Sequence, residues 1–166
     1  MRTQLYDKIT AYIIENQNRF YRLAYSYVKN QEDALDVVQN AICIALDKYE
    51  DLKNVDAVKT WFYRILVNES IGCLNRKKRE LPTGEEEALD WAYHEKGYEP
   101  ESDLQDRIDL LDEDVQKIVK LRFYEELSLK EIAEVMDMNL NTVKAKLYRG
   151  LDKLKQSIKE DDIWAN

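Results

Sequence analysis

The run from Leu127 to Arg149 admits few folds, because it reads as two short helices joined by a tight turn. Ser128 and Glu131 form an S-x-x-E capping box, which starts a helix just after Ser128. Ile132, Val135 and Met136 give that helix an apolar stripe, and Ala133 is small where a second helix must cross closely. Asp137 falls at the turn, where a left-handed backbone suits Asp better than most residues other than Gly. Asn139 can cap the next helix, whose buried stripe is Val143, Leu147, Leu151 and Leu154. Asn141, Lys144, Ala145, Tyr148, Arg149 and Asp152 are then left on the opposite face. A helix-turn-helix presents such a face to the DNA major groove. The bland alternative is a helical hairpin with a solvated basic side.

The other residues agree with an all-α chain. Four Gly and two Pro in 166 residues disfavour a β-sandwich or barrel with its many turns. Hydrophobic residues at 45% can bury one or two small cores, and 35% charged residues suit a water-soluble surface. The start, Met1 to Lys8, has no apolar core of signal-peptide type, and no run is long enough to span a bilayer. A cytoplasmic protein is expected. Cys43 and Cys73 lie far apart in apolar helical patterns, which predicts reduced, buried thiols and no disulfide. One His and no Cys cluster make a metal site improbable, and no cofactor is implied.

The net charge of −8 argues against a nucleic-acid partner until its distribution is seen. Acidic residues crowd the middle: Glu85 to Glu87, Asp90, Glu95, Glu99, Glu101, Asp103 and Asp106. Basic residues cluster from Arg76 to Arg79 and again from Lys144 to Lys155. An acidic whole predicts weak binding of the free chain to DNA, since little counterion release is available to drive it. A larger partner would have to supply the rest.

Three helical patterns fill residues 1–80. Tyr6 to Val28 mark a long helix or a broken pair. Asn30 caps the next, with Glu32 and Asp33 against its dipole and Leu35, Val38, Ile42, Ala45 and Tyr49 as its apolar stripe. After a loop, a third helix runs from about Ala57 to Arg79, with Val58, Trp61, Phe62, Ile65, Leu66, Ile71 and Leu74 apolar. Pro82, Gly84, Gly97, Pro100 and the acidic run mark a solvated linker over 81–103. A second domain, 104–166, opens with a helix holding Val115, Ile118, Val119 and Phe123 and leads into the helix-turn-helix at about 128–149.

Three further segments carry a family resemblance. Asp33 to Gln39, Thr60 to Asn68, and Leu121 to Ser128 with Asn141 to Arg149 occur in the order found in bacterial RNA polymerase sigma factors of the extracytoplasmic-function group. The chain resembles that group over nearly its whole length. Phe20 to Gln31 and Asn141 to Lys144 are further similar to the sigma-V-type subgroup of low-GC Gram-positive bacteria. The resemblance implies a non-catalytic protein that brings core polymerase to promoters, with no small-molecule substrate. It implies a membrane-anchored anti-sigma factor that holds the protein near the membrane, and release on envelope stress.

Residue by residue, the resemblance assigns Asp33, Asp36, Gln39 and Asn40 to the polymerase β′ clamp, and the second domain to the β flap. The family usually carries Glu where Asn40 stands. Lys59, Trp61, Arg64, Asn68, Arg76 and Lys77 fall in the −10 segment, with Gly72 where some members have a second amide. Asn141, Thr142, Lys144, Ala145, Lys146, Tyr148, Arg149 and Lys153 fall in the −35 segment, the flanking Lys146 and Lys153 as phosphate contacts. For Trp61, core packing competes with base contact. A stand-alone helix-turn-helix regulator would explain the C-terminal half but leave Asp33 to Gln39 and the Trp61 helix without a role. A helical enzyme or adaptor lacks a partnered His, Cys or Gly-rich phosphate loop.

Overall fold

The computed structural model describes residues 2–80 and 100–165, and among them the chain is all-α with no strand. The first half holds α1 (Arg2–Glu15), α2 (Gln17–Val28), α3 (Gln31–Asp47), 3-10 turns at Tyr49–Asp51 and Val55–Ala57, and α4 (Val58–Glu80). The second half holds α5 (Pro100–Asp109), α6 (Glu113–Phe123), α7 (Leu129–Met136) and α8 (Leu140–Ala165). Pro100 opens α5, so helix begins inside the stretch expected to be linker; most of that stretch, 81–99, lies outside the described residues.

Local chemistry sets the boundaries. The pattern over Tyr6 to Val28 resolves into a broken pair, with Asn16 at the joint, where its side-chain amide donates to the Tyr12 carbonyl at 2.8 Å. Lys29 ends α2 in the left-handed region at φ 56°. Asn30 then caps α3, its side chain accepting from the Asp33 N–H at 3.1 Å. Around Phe20 the first-half core closes: its ring centroid lies 4.5 Å from Phe62, 5.4 Å from Tyr63 and 5.8 Å from Tyr12. Rings at such separations add to burial through their offset and edge contacts.

In the second half the capping box forms with both bonds, Glu131 N–H to Ser128 Oγ at 3.1 Å and Ser128 N–H to Glu131 Oε1 at 2.9 Å. Asp137 ends α7 at φ 53°. Its N–H reaches the Glu134 carbonyl and the Met138 N–H reaches the Ala133 carbonyl, a Schellman closure that satisfies the last orphan carbonyls. Asn139 caps α8 through the Asn141 N–H at 2.8 Å. The stripe Val143, Leu147 and Leu154 is buried, and Leu151 packs against it half-buried. Gly150 lets α8 approach α6 closely, since a Cβ there would lie 2.5 Å from Val115 Cγ1.

Three sequence expectations are corrected. Leu35 is 48% exposed; Val38 and Ala45 are buried as expected, but together with Ala34, Val37 and Ala41, a face rotated from the expected one. Phe123, expected inside, is exposed at the end of α6. Leu104 and Ile108, which lead into α6, lie on the separate helix α5, and the chain turns between Asp109 and Glu113. Cys43 is exposed and Cys73 half-buried; both are free thiols, but neither is buried.

Candidate nucleic-acid interface

The outer face of α8 carries the expected −35 residues into solvent. Asn141, Thr142, Lys144, Ala145, Tyr148, Arg149 and Lys153 are all exposed. Residues three and four apart share a helix face, so Asn141, Lys144, Ala145, Tyr148 and Arg149 form one continuous edge. Arg149 Nε donates to the Ala145 carbonyl at 3.4 Å, which steers the guanidinium back along that edge. Lys146 lies to one side, half-buried, with Nζ 3.6 Å from Asp114 on α6.

The expected −10 residues on α4 sit differently, because α7 packs against the start of that helix. Lys59 Nζ pairs with Glu131 Oε2 at 3.0 Å, near the beginning of α7. One turn further along α4, Arg64 Nε donates to the Val135 carbonyl at 3.1 Å and Nη2 to the Glu134 carbonyl, at the end of α7. A cation at a helix C-terminus meets the negative end of the dipole as well as unsatisfied carbonyls. Burial would raise the Glu131 carboxyl, but the Ser128 N–H and the Lys59 ammonium together hold it below its ordinary value.

Asn68 lies between two clefts of about 270 Å³ each. One is shared with Arg64, Lys117 and the α7–α8 turn, and the other with Trp61, Ile44 and Lys48. Trp61 is half-buried against the core, so it holds one edge in the protein and one in its cleft. At the far end of α4, Arg76 is exposed, while Lys77 is ion-paired with Asp33 on α3. That pair joins an expected DNA contact to an expected polymerase contact. The remaining polar face of α3, Asp36, Gln39 and Asn40, is exposed.

Two ionisable residues between the halves are buried, and the sequence hints at only one of them. Glu125 is 1% exposed; its Oε2 accepts from the Tyr63 hydroxyl at 2.9 Å, and its Oε1 has no hydrogen-bond partner among the described residues. Burial pushes its pKa up to about 7, against the pull of the Tyr63 hydrogen bond and of Arg22 and Arg19. Lys120, 2% exposed on α6, donates to the Ser26 carbonyl of α2 at 2.8 Å, pairs with Asp109 at 3.0 Å and stands 3.8 Å from the Tyr27 ring centroid. Burial pushes its pKa down to about 8, against the pull of Asp109. Lys29 of α2 completes the seam with ion pairs to Asp109 and Asp106 of α5. A Lys inside an otherwise apolar helical stretch, from Ile118 to Leu121, is the one hint that Lys120 is buried.

The sigma-70 region 2 family matches residues 13–80, and the sigma-70 region 4 family matches residues 101–154. The RNA polymerase sigma factor SigV of Bacillus subtilis (strain 168) is 41% identical over 154 residues, which cover 91% of each chain. The ECF RNA polymerase sigma-E factor of Haemophilus influenzae is 30% identical over 157 residues, 86% of this chain and 82% of that one. Among solved structures, CnrH in complex with the cytosolic domain of CnrY superposes with a TM-score of 0.70 at 19% identity, over 92% of this chain and 88% of that one. The sigma factor RpoE in complex with the anti-sigma factor NepR from Bartonella quintana gives 0.69 at 18%, over 90% and 96%. Those two show the shared fold. With both regions in order, an exposed recognition helix and a relative at 41% identity over nearly its full length, this chain belongs to the RNA polymerase sigma factors of the sigma-70 family, in the extracytoplasmic-function group.

Proposed function

We propose that this sigma factor binds core RNA polymerase and directs initiation at a defined promoter class, working in the cytoplasm without catalysis or cofactor. The observation that carries the reading is the pairing of a region 2 half and a region 4 half whose recognition helix presents Lys144, Tyr148 and Arg149 to solvent. Asp36, Gln39 and Asn40, with Asp33 beside them, dock on the β′ clamp, and the second half on the β flap. Lys59, Arg64, Arg76 and Lys77 hold phosphates of the opened −10 strand while Trp61 and Asn68 engage unstacked bases. Base extrusion costs a few kcal/mol, so a prepared cleft beside Trp61 and Asn68 supports selection at that element. Arg149 and Lys144 read −35 base edges in the major groove, Ala145 meets a thymine methyl, and Asn141, Thr142, Lys146 and Lys153 hold the backbone. Solved structures of the same fold held by anti-sigma partners support control by an anti-sigma factor; that this factor is membrane-anchored and releases the protein on envelope stress rests on the sigma-V-type resemblance of Phe20 to Gln31 and Asn141 to Lys144.

Transcription with purified core polymerase tests this reading. Adding the protein yields transcripts from a promoter in its own gene neighbourhood, and omitting it yields none. Failure to co-elute with core polymerase, or transcripts without promoter preference, overturns it. A stand-alone regulator would instead bind a specific duplex at physiological salt without polymerase.

A further inference from the structure

We propose that Arg76 of α4 reads a base of the −10 element: Gly72 seats its guanidinium beside Asn68, and it selects a guanine near the base that Asn68 takes. The proposal rests on the sigma-factor reading above and deepens it, by giving Arg76 a base edge where that reading asks only for a phosphate.

The placement begins in the sequence. Asn68, Gly72 and Arg76 recur at intervals of four, so they stack along one face of α4. Helical side chains lean toward the N-terminus, which carries Arg76 back over the turn that Gly72 leaves bare. A Cβ at Gly72 would lie 3.6 Å from Arg76 Nη1. The guanidinium therefore fills the place that a longer side chain at Gly72 would compete for. That seat is one turn from Asn68, about 6 Å along the helix axis. Successive bases of a strand are about 3.4 Å apart, so two side chains placed this way meet neighbouring or next-neighbouring bases.

The other cations of α4 are committed or lie elsewhere. Lys59 pairs with Glu131, Arg64 donates to the carbonyls that end α7, and Lys77 pairs with Asp33. Lys78 and Arg79 sit in the last turn, at the negative end of the helix dipole. Arg76 reaches away from that end and is exposed, and its side chain has no hydrogen bond or ion pair among the described residues. The Asn68 side chain is exposed and unpaired in the same sense. Both side chains thus offer all their hydrogen-bonding groups to a ligand. An Asn amide matches N6 and N7 of adenine, and the planar fork of Arg matches O6 and N7 of guanine. A phosphate asks only for charge, which Lys78 and Arg79 supply in the same stretch. A fork lodged over a bare residue beside an amide is the arrangement that tells one base from another.

Initiation by holoenzyme tests the proposal, on a promoter library with every base at each position of the −10 element and its flanks, at two salt concentrations. The parent chain is expected to favour guanine at one position, close to the position whose preference Asn68→Ala removes. Arg76→Lys keeps the charge and loses the fork. The guanine preference should then fall by about 5- to 150-fold, while the other positions and the salt dependence match the parent. Gly72→Asn puts an amide in the seat and should move the preference there from guanine to adenine. Unchanged helix content and core-polymerase binding show that each variant is folded, and Arg76→Lys decides alone should Gly72→Asn misfold. A guanine preference that survives either substitution in a folded variant overturns the proposal. So does a uniform loss across the library in Arg76→Ala, which makes Arg76 a phosphate clamp. If the parent chain cannot initiate with core polymerase, the sigma-factor reading itself falls. If it initiates without a guanine preference near the Asn68 position, the role of Arg76 alone falls.

Discussion

α4 and α8 both carry basic and amide residues at helical spacing, and both belong to regions that meet promoter DNA in the family. On α8 the reading edge has no helix packed over it among the described residues, and Lys144, Tyr148 and Arg149 are exposed. On α4 the corresponding cations are already engaged, Lys59 by a carboxylate and Arg64 by the end of a helix. The contrast shows that residue type and spacing mark a surface as able to bind nucleic acid. Whether the surface is free is decided by the element packed beside it.

The largest expected effect tests whether the two halves are one energetic unit. Phe62 is fully buried with its ring against Phe20, so Phe62→Ala should lose about 3–5 kcal/mol through lost contacts and a residual cavity. Because α7 leans on α4, hydrogen-exchange protection of the second half should fall together with that of the first. If α8 keeps its protection while α4 loses it, the halves are independent and the contrast between them does not arise from packing.

Next comes pH. Glu125 holds its proton more tightly in the packed chain than unfolded, so its contribution to stability is complete below about 4.5 and is lost as pH rises through about 7. Lys120 has the opposite shift; its contribution is complete above 10.5 and is lost as pH falls through about 8. The two together predict a stability minimum between pH 7 and 8. Arg19 and Arg22 on α2, Tyr12 on α1 and Tyr63 on α4 are the charged and titratable groups around Glu125. Lys29 and Asp109 play that part for Lys120. Glu125→Gln should flatten the acid limb, worth about 3 kcal/mol at most, in denaturant titrations run from pH 4 to pH 9. An acid limb that survives the substitution assigns it to other carboxylates.

On the open side of the comparison, Arg149→Ala should lose discrimination among −35 variants by about 1–3 kcal/mol, as when a bidentate base contact disappears. Lys153→Ala should weaken all promoters alike and flatten the salt dependence. Initiation by holoenzyme on a panel of −35 variants at two salt concentrations separates the two. A uniform loss in Arg149→Ala makes it a phosphate clamp and passes base reading to Lys144 or Tyr148.

The smallest effect concerns how α8 is held. Gly150→Ala gains about 1 kcal/mol of helix propensity but places a Cβ 2.5 Å from Val115 Cγ1, and overpacking typically costs about 1–3 kcal/mol. The expected outcome is a slightly lower melting temperature. A higher one would mean that α6 yields and that the α6–α8 seam is not tightly set.

What residue order alone determines here is local. Ser128 with Glu131, Asn30 with Asp33, Asn139 with Asn141 and the left-handed Asp137 all act within a turn of helix, so they are legible directly from sequence. The stripe Val143, Leu147 and Leu154 is equally legible, since α8 is apolar on one side only. α3 is less so: it carries apolar residues on more than one face, and periodicity cannot tell whether Leu35 or Val37 points inward. The tertiary structure alone decides that α4 meets α7 and that α2 meets α6. Tyr63 finds Glu125 across 62 positions, and Lys120 finds Ser26 across 94. No cap, period or propensity reaches that far. Such pairs arise only when whole helix faces are matched in space, where burial and hydrogen bonding are settled jointly by elements remote in the chain.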